Sequence, residues 1–229
     1  GRMDMRKIGG SFVGAGAAGQ ATLEFTTSTY NASGLSTYTF SSQAIGTAAA
    51  DRQIIVAICG FRAGTGDTVN SVTVGGEATV QAVTENAQTQ VATAIHFGTL
   101  TTGTTADIVV DWSVAQTNGC SISLYKATGM DTSVDDSGSD KFGLETVLTT
   151  NLNVPTGGVA VAQVGENSNP LRSTSWGSDF TEDGDDVWNT YYSYYTASSD
   201  EAGAAVTSEC TFSGEVNNGS MSVASWGPA

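Results

Sequence analysis

From residue 21 to residue 226 the chain is built of short segments in which apolar and polar residues alternate, each closed by a turn. Ala63-Gly-Thr-Gly-Asp67, Gly75-Gly76, Asn118-Gly119, Gly157-Gly158 and Asn217-Asn-Gly219 supply those turns, because Gly and Asn accept positive φ. Alternation with period two puts every second side chain on one face of a strand, and spacing of the helical kind is almost absent. The pattern predicts strands at 21–30, 37–45, 52–61, 69–74, 78–85, 91–97, 107–114 and 120–128. After a polar break it predicts more at 144–152, 158–164, 171–176, 187–197, 204–212 and 220–226.

Two stretches, 54–58 and 159–164, are apolar at nearly every position, as in strands covered on both faces. They are therefore placed centrally. The expected fold is all-β: an antiparallel two-sheet β-sandwich, jelly-roll-like, with almost no helix. Its organisation reads as an N-terminal arm over residues 1–20 and one sandwich domain over 21–229. The polar stretch 131–140 reads as a surface loop between sheets, and a division into two lobes would fall near 131–143. No clean sequence repeat is visible, although the two halves share a strand-rich rhythm.

Charged residues make up only 14% of the chain, against about 25% in ordinary domains, which argues for a folded chain over a disordered one. The formal charge is −15, and three of the eight basic residues, Arg2, Arg6 and Lys7, sit in the first seven positions. The remaining surface would repel phosphates, so nucleic acid is not expected as a partner and anionic membrane is disfavoured. No run reaches the ~18–20 apolar residues of a membrane span. Residues 8–18 are too rich in Gly for the apolar part of a signal peptide, so the first residues are read as a docking arm. Cys59, Cys120 and Cys210 have neither zinc spacing nor an even count, which fits free thiols formed in a reducing cytosol.

Catalytic patterns are missing from the sequence. His96 is the sole histidine, and no GxSxG, HExxH or phosphate-cradling motif accompanies it. A glycosidase needs two carboxylates, a criterion that any chain with 23 acids meets by chance. The expectation is a protein that is not an enzyme.

Recognition chemistry concentrates between residues 176 and 195. Trp176, Trp188, Tyr191, Tyr192, Tyr194 and Tyr195 lie there beside a dense set of acids. Rings beside carboxylates suit core packing, a subunit interface or a sugar platform. The segment 179–186 resembles a calcium loop, with Gly184 in the sixth place. Thr190 stands in the twelfth place, where an EF-hand needs a bidentate Glu, so that motif is rejected. A calcium site of another kind, from Asp179, Asp183 and Asp185, is the one metal centre carried forward; no other cofactor is expected.

Four segments carry a resemblance: Arg52-Gln-Ile-Ile-Val-Ala-Ile58, Val72-Thr-Val-Gly-Gly76, Ser121-Ile-Ser-Leu-Tyr-Lys-Ala-Thr-Gly129 and Val154-Pro-Thr-Gly-Gly-Val-Ala-Val-Ala162. Their cadence resembles small β-sandwich structural proteins of tailed bacteriophages, namely head-decoration, head-fibre or tail-associated components. The likeness spans about 52–226 and brings no catalytic residue. It implies a virion structural protein made in the host cytoplasm, homo-oligomeric, contacting other virion proteins, with Arg2, Arg6 and Lys7 docking on an acidic capsid surface. The alternative is a carbohydrate-binding module, calcium-assisted, at an extracellular or cell-surface location. An adhesin or pilin-like subunit comes third.

Overall fold

A computed structural model describes residues 19–62, 67–86, 90–187, 191–200 and 204–229. The described residues hold strands and no helix. The first half runs β1 (Thr22–Asn31), β2 (Leu35–Ala44), β3 (Gln53–Phe61), β4 (Val69–Val74), β5 (Glu77–Ala78), β6 (Val80–Asn86), β7 (Val91–Thr99), β8 (Thr105–Gln116) and β9 (Cys120–Thr128). The second runs β10 (Asp136–Phe142), β11 (Glu145–Val154), β12 (Val159–Asn167), β13 (Thr174–Trp176), β14 (Thr181–Val187), β15 (Tyr192–Ser199), β16 (Ala204–Val216) and β17 (Asn218–Trp226).

These strands form four antiparallel sheets, in the orders β2-β8-β4-β5, β1-β9-β3-β7-β6, β10-β17-β12-β15-β14 and β11-β16-β13. The sheets stack in that sequence. Tyr38, Phe40, Ile108 and Trp112 of the first outer sheet pack on Ile54, Val56, Ile58 and Leu124 of the first inner sheet. Ile55, Ala57, Ile95 and Phe97, on the other face of that inner sheet, meet Val159, Val161, Ala224 and Trp226 of the second. The far face of the second, with Ala160, Val164, Tyr195 and Met221, meets Leu148, Leu152 and Phe212 of the last sheet. The expected antiparallel all-β sandwich is present, and it has four layers where two were expected. This explains β3 and β12, which are buried at every residue because each lies in an inner sheet.

The two halves share one topology. Taking β10, β11, β12, β13, β14, β15, β16 and β17 for β1, β2, β3, β4, β6, β7, β8 and β9 reproduces both sheet orders, with β5 left over. Irregularities repeat as well. The β6–β7 register slips between Gln81 and Val83 opposite His96 and Ile95; the β14–β15 register slips between Glu182 and Gly184 opposite Ala197 and Thr196. On the outer sheets, β2–β8 jumps from Leu35↔Gln116 to Thr37↔Asp111, and β11–β16 from Glu145↔Val216 to Val147↔Thr211. Bulges are specified features of a fold, so their recurrence at matched places identifies a repeat that the sequence conceals.

The halves meet face to face with twofold character, β1 beside β14 and β6 beside β10. Ser28 Oγ donates to Asp186 across the first seam, and Ser139 Oγ donates to Glu85 across the second at 2.6 Å. Ser28 and Ser139 are matched, pairing with Ser123 and Ser222; Glu85 and Asp186 each sit three residues beyond the bulged residue. Cys59 and Gly165 are also matched, pairing with Thr93 and Tyr194, and they touch each other. Contact between equivalent residues marks the pseudo-dyad of an isologous interface.

Two segments read as polar loop or turn prove to be strands: 131–140 contributes β10, and 179–186 contributes β14. Both are edge strands of inner sheets, where acids discourage pairing with another chain. On β10 the acids also satisfy backbone donors, since Asp140 accepts from Thr149 N and Asp136 from Asn153 N, each at 2.8 Å, along the edge of β11. At the other end of the first half the buried Arg52 guanidinium and Nε donate to the carbonyls of Gly46, Leu100, Thr102 and Gly103 at 2.6–2.9 Å. It joins the β2–β3 connection to the β7–β8 connection. No helix of the described residues is long and apolar enough to cross a membrane.

A side chain at Gly165 would run into Cys59 and come within 2.6 Å of Val91 Cγ1. Gly165→Ala is therefore expected to destabilise the chain by about 1–3 kcal/mol through overpacking, read from the midpoint of urea unfolding.

Candidate functional site

Adjacent strand residues point to opposite faces, and this divides the aromatic window. Tyr194 lies between the halves with Cys59, Phe61 and Val91, while Tyr195 lies in the core of the second half. Burial raises both phenols above their ordinary range, and acids nearby, Asp186 and Glu166 respectively, add to it. Trp176 is half-buried on β13, stacked on Phe180 at 6.1 Å, with Nε1 donating to Glu182 at 2.9 Å. Tyr192 packs on Phe61 at 5.0 Å and its hydroxyl accepts from Asn118 Nδ2 at 2.9 Å; Tyr191 is exposed beside it. The described aromatics therefore do not share one face. Trp188, Arg2, Arg6 and Lys7 lie outside the described residues.

The three acids of the calcium reading face different neighbours. Asp179 accepts from Thr207 N at 3.0 Å, beside the last sheet, and Asp183 accepts from the Tyr125 hydroxyl of the other half at 2.9 Å. Asp185 has its carboxyl pushed up by burial first and then by Glu182, Asp186 and Glu166. No group of three or more His, Cys, Asp or Glu among the described residues is placed to hold a metal ion.

Between the start of β1 and the neighbouring β14 and β15 lies a cleft of about 360 Å³. Gln20, Thr22, Thr181, Asp183, Ser198 and Asp200 supply its polar wall. Asp183 is held from behind by Tyr125, whose hydroxyl also lies 2.7 Å from Thr196 Oγ1. Burial, and then the charge of Asp183, keeps that phenol protonated, so it acts as a fixed donor.

The remaining reactive groups serve the interior. His96 Nδ1 lies 3.1 Å from Thr79 Oγ1, and its Nε2 is buried without a partner. Burial pushes its pKa down to about 4 and keeps the ring neutral. All three cysteines are free and buried, and burial raises each thiol, Cys120 to about 12. Sequence reasoning missed Glu166, which is fully buried and accepts from Ser168 Oγ, Ser193 Oγ, Tyr195 OH and Arg172 N at 2.5–3.1 Å. Its signal was a carboxylate at the end of an otherwise apolar strand, with Tyr195 nearby to donate. Compared with known proteins, the chain matches no family model, no curated protein and no solved structure.

The His96 environment fixes a pH dependence. Unfolded, the ring takes a proton near pH 6.5; folded, only near pH 4. Between these values the unfolded chain binds the extra proton, so stability falls as pH falls through the window and is untouched above it. The loss from pH 7 to pH 4 should be smaller by about 3 kcal/mol in His96→Gln, measured by urea unfolding at both pH values.

Proposed function

We propose that the chain is a non-enzymatic structural component of a virion, working through protein–protein contacts and assembling with copies of itself. The observation that carries this reading is the use of its chemically capable groups as internal fittings. Arg52 ties connections together, Glu166 gathers four donors, and the thiols and His96 are packed away. The surface is left mostly to hydroxyls and carboxylates, with scattered exposed apolar residues of which Val80, Leu144, Val187 and Tyr191 are the most exposed among the described ones. A four-layer stack whose central strands, β3 and β12, are buried throughout suits a rigid part better than a gated one, because tightly packed interiors transmit strain. The cadence that resembles phage β-sandwich proteins supports this class of particle, and the basic residues Arg2, Arg6 and Lys7 are its proposed docking end.

On this reading the chain is recovered from purified particles. Deleting residues 1–10 should abolish incorporation while leaving the melting temperature within about 2 °C, since the described strands and core are built from residue 21 onward. Unchanged incorporation of the deletion would count against the docking role, and absence of the intact chain from particles would remove the proposal.

A further inference from the structure

The pseudo-dyad gives the cleft beside β14 a counterpart within the same molecule, beside β6. Val80 pairs with Phe97 on that side where Thr181 pairs with Ser198 on this one. Ala82 occupies the bulge that Asp183 occupies here, and Trp226, opposite Val159, stands where Ala127 stands opposite Gln53. In the counterpart Phe97 meets Trp226 edge-on at 5.4 Å, with Ala82 and Val134 packed around them. The same architecture thus closes one corner with apolar side chains. At the other Ser198 and Ala127 stand at the places of the two large rings, and acids and hydroxyls line the cleft. The polar corner departs from its apolar counterpart, and places where a fold departs from its own pattern are the expected locations of functional sites.

We infer that this cleft binds a cationic ammonium or guanidinium group. Its wall offers acceptors: the carboxylates of Asp183 and Asp200, the hydroxyls of Thr22, Thr181 and Ser198, and the Gln20 amide, with no basic side chain among the lining residues. Carboxylates accept only, and charge-assisted bonds from nitrogen cations are the strong ones they form. Asp183 is already oriented by the buried Tyr125 hydroxyl, which lowers the cost of ordering it on binding. The cation has two sources of the same chemistry. One is the chain's own Arg2, Arg6 and Lys7, whose segment joins the described structure at the cleft wall, within reach at about 3.3–3.6 Å per residue. The other is a basic group of a separate molecule.

The test titrates the full chain with L-argininamide at low ionic strength, followed by calorimetry. Saturable binding is expected, weakened at least about tenfold by Asp183→Asn combined with Asp200→Asn. Asn at 183 keeps an acceptor for Tyr125, and Asp200→Asn alone, at an exposed residue, gives the reading if the double variant does not fold. In a chain carrying Arg2→Gln, Arg6→Gln and Lys7→Gln, tighter probe binding than in the parent assigns the cation to the chain's own segment; equal binding assigns it to a separate molecule. Absence of binding in both chains, or binding that the carboxylate substitutions leave unchanged, overturns the inference. Particle incorporation plays no part in this readout, so the structural proposal and the cleft stand or fall separately.

Discussion

A sheet that is apolar on both faces cannot be stable with only one of them covered, and this chain contains two such sheets. Each inner sheet has an outer sheet of its own half on one side, so the only cover left for its other face is the other inner sheet. From that requirement follow the four layers, the contact of β3 with β12 at the centre, and the glycine at 165 that leaves room for the Cys59 and Val91 side chains. The polar groups of the interior obey the same demand. Each must find its partner inside the stack, and Arg52 and Glu166 do so with several apiece.

The repeat is one of backbone more than of side chains. Thr93, near the pseudo-dyad, lies 2.9 Å from both Ser220 and Ser222. Tyr194 stands at the matched place in the other half, with its hydroxyl turned toward Ser28 and Asp186. Ser121 and Ser123, the counterparts of Ser220 and Ser222, are left buried without a partner. One half of the seam therefore closes its hydroxyl layer and the other does not. The same divergence, carried further at the edges, separates an apolar corner from a polar cleft.

Much of the fold was legible in the sequence because alternation and Gly or Asn turns report strand and face directly. The runs at 54–58 and 159–164 correctly announced coverage on both sides; what they could not announce was that each needs a sheet beyond an ordinary sandwich. β10 and β14 were misread because acids at an edge strand look like acids in a loop, and only their pairing with β17 and β15 distinguishes them. The repeat was hidden for a related reason. Alternation constrains polarity and size, so little beyond Ser121-Ile-Ser-Leu124 and Ser220-Met-Ser-Val223 remains alike. Strand alternation already divides the aromatic window in the sequence, with Tyr192 and Tyr194 on one face and Tyr195 on the other, and Tyr194 and Tyr195 do enter different clusters. The cleft had no local signal at all, since β1 and β14 are some 160 residues apart, as the Ser28–Asp186 separation of 158 indicates.

Joining the two sandwiches in one chain changes what their shared face has to achieve. Two separate subunits would need a contact strong enough to overcome dilution, whereas tethered partners meet at an effective concentration in the millimolar range. A seam threaded with hydroxyls, and short of one full set of hydrogen bonds, suffices under those conditions. The covalent tether thereby relaxes the sequence requirements along the seam, and positions that a free dimer would have to keep identical are at liberty to diverge.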